Sequence, residues 1–218
     1  MRLDKSPSKA TERLHTAIIF DWDDTLLASS FLAQHGLRLD SPAVVPAEAM
    51  ASLSLLQESV LQLLHRAMCF GEVVIVTNAE TGWVELSAKR FLPGVVPLLA
   101  KIRVLSARST FEVMHPDNPS MWKVQAFGQE IGRAYLDCSG DVIKNVISLG
   151  DSIHERTALH KVTSTLPKAL TKSIKFVERP TVEQLKRQVD LVHSCFEEIV
   201  GHRGHLDLML TIQLLYQG

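Results

Sequence analysis

The sequence predicts an α/β fold, a Rossmann-like, mostly parallel sheet with helices on both faces. Short β-branched apolar runs alternate along the chain with longer amphipathic stretches, the pattern of successive βαβ units. Asp21, Thr77 and Asp151 each follow directly on one of those runs, so they would gather in the crevice beyond the carboxyl ends of the strands. A length of 218 residues with 46% hydrophobic content is enough for one substantial core.

In chain order, residues 1–15 are polar without sustained periodicity and read as a flexible tail ahead of a single domain spanning 16–218. Residues 17–20 form the first strand. Gly, Ser and Pro scattered through 29–46 read as a loop, and whether 27–46 folds into a small cap or flap stays open. From Ala47 to Phe70 the apolar residues Leu53, Leu56, Val60, Leu63, Leu64 and Ala67 recur at three- and four-residue steps, a helix that Gly71 ends. Residues 72–76 are a second strand, and 81–91 a helix stopped by Pro93 and Gly94. A third strand is expected at 101–105, a polar loop at 108–120 and a helix at 121–135. Residues 145–149 make the next strand, leading through Gly150 and Asp151 into a helix that reaches Leu159. A strand at 173–177, one long helix at 181–200 and a last strand at 205–210 complete the series. No repeat, low-complexity tract or interdomain linker interrupts it.

A net charge of -1 and a pI near 6.8 supply no broad basic field, so general electrostatic attraction to nucleic acid or an anionic membrane is not implied; no membrane partner is expected and no sequence-specific nucleic-acid binding is evident, while a local basic patch stays open. Cys69, Cys138 and Cys195 are far apart and lack CxxC spacing, so neither a disulfide framework nor a structural zinc site is expected. With no apolar run of membrane-spanning length and no signal-like opening, the expectation is a cytoplasmic protein.

Residues 17–26 read AIIFDWDDTL, an apolar strand running straight into three carboxylates within four residues. Carboxylates so crowded repel one another unless a cation neutralises them, and hard oxygen ligands suit Mg2+. Asp21 could attack phosphorus to form an aspartyl-phosphate. Asp23 has the reach to protonate the leaving oxygen and then to deprotonate the water that resolves the intermediate. Thr77 and Asn78 could hold phosphate oxygens with a hydroxyl and a helix amino end, although both residues also suit an ordinary helix cap. Lys123 would offset the charge of nucleophile and phosphate, while its rival Lys144 should sit at the opposite end of the sheet. Asp151 would join Asp21 and Asp23 at the metal, and Glu155, one helical turn on, could orient metal-bound water or Lys123. Thr25 reads equally as a hydroxyl that stabilises the turn and as a functional one. For His154 and Arg156, solvent exposure or ion pairing is the expectation. Trp22, Trp83 and Trp122 are expected in the core or along the crevice wall.

Taken in order, Asp21-x-Asp23-x-Thr25, Thr77 after a strand, Lys123 and Gly150-Asp151-x-x-x-Glu155 resemble the four motifs of the haloacid dehalogenase superfamily of phosphohydrolases, over roughly residues 17–159. The resemblance implies Mg2+, Asp21 as nucleophile, Asp23 as acid/base, Thr77 and Lys123 on the phosphate and Asp151 on the metal. The paired aspartates look like the phosphatase branch. Two departures stand out: Asp24 where many members have Gly, and Glu155 where Asp is more frequent. Neither gap between motifs is long enough for a large cap domain, which by resemblance implies an open site and a large or openly accessible phosphorylated substrate: a protein, a nucleic-acid end or a metabolite. A non-catalytic module that binds a phosphorylated ligand and a phosphotransferase of the same fold are the alternatives.

Overall fold

The computed structural model describes residues 13–42, 44–138 and 142–216. Strand β1 (Arg13–Phe20) leads through the short helix α1 (Ser29–Gln34) to the long α2 (Ala47–Phe70) and back to β2 (Glu72–Thr77). Helix α3 (Trp83–Phe91) and α4 (Val96–Leu99) precede β3 (Arg103–Ser106), and α5 (Ala107–Phe111) and α6 (Pro119–Ala134) precede β4 (Val142–Gly150). The chain closes with α7 (Ile153–Thr163), β5 (Ala169–Lys175), α8 (Val182–Ser194), α9 (Phe196–Gly201) and β6 (Leu206–Met209).

All strands pair in parallel in one six-stranded sheet ordered β3-β2-β1-β4-β5-β6. Alternation of side chains along β1 divides the core in two. Ile18 and Phe20 pack with Leu56, Val60 and Leu63 of α2 and Leu185 and Val189 of α8. Ala17 and Ile19 face the other way, toward Ala126 and Phe127 of α6 and Ala158 of α7. Both faces are therefore covered, which is why the strands read as continuous apolar runs. No large cap sits on this layer structure among the described residues, and none of their helices is long and apolar enough to cross a membrane.

Helix α2 has the bounds its periodicity predicts, and β6 forms where a last strand is expected. Four local expectations are corrected. Of the expected tail, residues 1–12 lie outside the described residues, while Arg13 to His15 belong to β1 and pair with Val142 to Lys144. These residues are partly exposed at the sheet's amino edge, so backbone pairing rather than apolar burial recruits them. Within 29–46, α1 forms and buries Leu32, being too short for a helical period to show. Within 108–120, α5 forms behind a cap in which the Ser106 hydroxyl accepts from the Ser109 N–H at 2.9 Å. The expected long helix at 181–200 breaks at Cys195 into α8 and α9, turning Phe196, Ile199 and Val200 into the core. Lys144 lies near the amino end of β4, away from the crevice.

Candidate functional site

The strand order reverses between β1 and β4, and a parallel sheet opens its ligand crevice where such a reversal separates the crossovers. Phe20 pairs with Leu149, and the Asp21 N–H carries the ladder one step further by donating to the Leu149 carbonyl at 2.8 Å. Asp21 therefore leaves β1 beside the end of β4, two residues before Asp151. The chain then folds sharply: the N–H of Leu26 donates to the Trp22 carbonyl at 2.9 Å, and that of Asp24 to the Leu27 carbonyl at 2.7 Å. Asp24 sits at φ 52, a left-handed backbone open to Gly and tolerated by Asp, and its carboxylate accepts from the Ser30 N–H at 2.9 Å. Glycine and aspartate at this position thus answer the same backbone requirement.

Lys123 rises from α6 into this end of the sheet and is buried, not a surface lysine. Its ammonium donates to Asp21 Oδ1 at 2.6 Å and to the Val76 carbonyl at 2.7 Å, and lies 2.9 Å from Glu155 Oε1. Those contacts use all of its donors. Glu155 is fixed from its other oxygen, which accepts from the N–H and the hydroxyl of Ser152 in a capping box at the start of α7. Gly150 makes room for that arrangement. A Cβ there would meet Glu155 Cγ at 2.5 Å, so the Gly-Asp pair is a packing requirement as well as a motif.

One oxygen each from Asp21, Asp151 and Glu155 lies within 4.8 Å of the others, a group that could hold a metal ion. Burial raises the Asp21 carboxyl well above its ordinary range; Lys123 draws it back, while Glu155 and Asp23 push it further up. Burial, then Glu155 and Asp24, push Asp151 up to about 7, with Lys123 opposing. Glu155 is also disfavoured by burial, yet Lys123 and the Ser152 contacts more than reverse this and hold it low. Burial works against the Lys123 ammonium, but Asp21 and Glu155 keep it protonated. A single ammonium among three carboxylates leaves a surplus of negative charge, and Glu155 and Asp24 add to burial in raising Asp151. A divalent cation bound by hard oxygens fits that surplus.

Asp23 does not share in this group. Its Oδ1 accepts from the Trp83 indole N–H at 2.9 Å and its Oδ2 from the Thr77 hydroxyl at 3.2 Å. Thr77 in turn accepts from the Ala79 N–H at 2.9 Å, so its hydroxyl orients the acid and caps the turn. The Asn78 amide donates to the Pro119 carbonyl at 3.3 Å, tying this turn to the start of α6, and its buried Oδ1 has no partner among the described residues. The Thr25 N–H closes the turn on the Trp22 carbonyl at 3.3 Å, while its buried hydroxyl has no partner among the described residues either. The Trp22 side chain is structural, wholly buried with its N–H on the Ser87 hydroxyl at 3.0 Å.

Asp21, Asp23, Asp151 and Glu155, with Lys123 and Trp83, line a crevice of about 910 Å3 that also takes in Arg38, Leu39, Arg108 and His154. No family model and no curated protein matches the chain. The site itself offers a buried carboxylate beside a lysine, a second carboxylate on neutral donors, and an acidic group suited to a cation. Sequence reasoning placed Trp83 in the core or crevice wall and did not foresee its bond to Asp23, for which a helix-start tryptophan gives no signal. Nor did it foresee His154 Nδ1 within 2.5 Å of the Ser120 hydroxyl. Arg156 pairs with Asp207 of β6, in keeping with an ion-pairing role.

Proposed function

We propose that this protein is a Mg2+-dependent phosphomonoester phosphatase that works through an aspartyl-phosphate on Asp21. The observation that carries the reading is the unequal treatment of two carboxylates two residues apart. Asp21 Oδ1 is held by the Lys123 ammonium, which leaves Oδ2 without a protein hydrogen bond among the described residues. Among the described residues Asp23 is held only by an indole and a hydroxyl, neutral donors that orient it without pairing its charge. Two acids in such different surroundings suit two different tasks.

In the first step the free Asp21 oxygen attacks phosphorus, the bond from phosphorus to the substrate oxygen breaks, and that oxygen takes a proton from Asp23. In the second, Asp23 takes a proton from water, the water oxygen bonds to phosphorus, and Asp21 leaves as carboxylate. Lys123 opposes the burial that favours the protonated form of Asp21 and lies beside the charge that builds on the phosphoryl oxygens. Asp21, Asp151 and Glu155 would hold Mg2+, and the ion when bound supplies charge neutralisation for an incoming phosphate. The motif order that resembles the haloacid dehalogenase superfamily supports the same reading, as does a crevice open enough for a large phosphorylated substrate.

The test is phosphate release from 4-nitrophenyl phosphate. Turnover is expected with Mg2+, none with EDTA, and none from Asp21→Asn despite an unchanged circular dichroism spectrum. Full activity in Asp21→Asn ends the proposal. Equal activity with EDTA removes the metal from it.

A further inference from the structure

We propose that Trp83 is the positioning residue of Asp23, the group that fixes which carboxylate oxygen passes a proton to the leaving group. The inference rests on the phosphatase reading above. Helix α3 grips the turn after β1 at two points one helical turn apart. Ser87 accepts the indole N–H of Trp22 at 3.0 Å, and Trp83 donates its own indole N–H to Asp23 Oδ1 at 2.9 Å. The Ser87 hydroxyl also donates to the Trp83 carbonyl at 2.7 Å, so the two grips are joined. Asp23 is thereby set against a helix anchored in the core, where Val84 and Ala88 are buried on the same element.

The chemistry of the donor gives this contact a consequence that a wall contact lacks. An indole N–H donates and cannot accept, so Oδ1 stays an acceptor for as long as the bond lasts. The proton that Asp23 hands over must then ride on Oδ2. There the partner is the Thr77 hydroxyl at 3.2 Å, whose hydrogen rotates and which can serve either protonation state. As the substrate's P–O bond breaks, that proton moves from Oδ2 to the departing oxygen and Asp23 is left as carboxylate. Loss of the indole N–H would free the carboxyl to turn about its own bond and divide the proton between two oxygens, only one of which faces the leaving group.

The test compares two substrates of similar shape and different leaving ability, 4-nitrophenyl phosphate and benzyl phosphate. A good leaving group departs without a proton, whereas an alkoxide needs one. Trp83→Phe is expected to lower kcat/KM on benzyl phosphate about tenfold or more beyond any loss on 4-nitrophenyl phosphate, in the direction of Asp23→Asn. Equal losses on both substrates, or none, overturn the inference while leaving the phosphatase reading intact. A wild-type enzyme inactive on both with Mg2+ overturns the two together.

Should Trp83→Phe fail to fold, a two-dimensional proton–nitrogen spectrum gives an independent answer, because the chain has 3 tryptophans. In Asp23→Asn the Trp83 indole signal should move more than those of Trp22 and Trp122, which are bonded to Ser87 and to the His115 carbonyl. An unmoved Trp83 signal means that the contact is absent in solution, and the inference fails.

Discussion

Lys123 and Lys172 are both buried to about the same degree, on opposite faces of the sheet, and they keep different company. Lys123 meets two carboxylates and a carbonyl. Lys172, on β5, donates to the Ile199 and Val200 carbonyls at 2.7 and 2.8 Å, near the end of α9. Burial disfavours the charge of both. On Lys123 the carboxylates more than reverse that, whereas on Lys172 burial prevails, Arg203 adds to it, and the pKa falls to about 8. Carbonyl dipoles at a helix end favour a cation, but by less than a full counter-charge does. The comparison separates a lysine kept charged by two carboxylates from one held by backbone carbonyls.

The strongest way to break the comparison is to remove each ammonium in turn. Lys123→Met strands Asp21 and Glu155 in the interior without a counter-charge and should cost about 3–5 kcal/mol in urea unfolding with EDTA present. Added Mg2+ should recover part of that loss, and phosphate release should be abolished. If Lys172→Met at pH 7 costs as much, the distinction fails.

Proton linkage sharpens the other half. Because the folded pKa of Lys172 lies near 8 and the unfolded value near 10.5, the folded state binds fewer protons between the two. Stability should therefore rise with pH across that window, by at most about 3 kcal/mol, and level off above it. Subtracting a parallel Lys172→Met series cancels the other titrating groups, and a flat difference would show that Lys172 is not the source.

A smaller effect is expected from Gly150→Ala, whose Cβ would fall 2.5 Å from Glu155 Cγ and push one partner away from Lys123. About 2 kcal/mol of destabilisation together with weaker Mg2+ dependence is predicted; a fully stable variant would mean that Glu155 shifts without disturbing Lys123. Smallest is Asp24→Gly. It suits the left-handed backbone at φ 52 and removes a charge that raises Asp151, at the loss of the contact with the Ser30 N–H. Stability should change by no more than about 1 kcal/mol, whereas Asp24→Val, strained at that φ, should cost more.

Much of this architecture is legible in the residues themselves. The bounds of α2 follow from a long apolar period, and the convergence of Asp21, Thr77 and Asp151 follows from their places at the ends of parallel strands. Helices α1 and α5 escape notice because six and five residues are too few to show a period, and tertiary packing decides them. The break at Cys195 is of the same kind, since burying Phe196 redirects a pattern that would otherwise run on. Within the site, residue types and order indicate which groups assemble, but side-chain direction does not follow from them. Asp23 turning toward Trp83 and Thr77, and Lys123 spending a donor on the Val76 carbonyl, depend on how α3 and α6 dock.

The reversal of strand order at β1 also governs when the site comes into being. Strand β1 emerges first in synthesis, yet its neighbour β4 is made only after more than half the chain, and contacts such as Asn145 with Thr16 span 129 residues. The Lys123–Asp21 bond bridges 102. Contacts this distant form slowly, because a long loop must close before they reward it. A nascent chain that has completed β1, α2 and β2 holds its acidic turn with neither lysine nor second aspartate to meet it. Assembly of the crevice is accordingly among the last steps a growing or refolding molecule completes, trailing the secondary structure that precedes it.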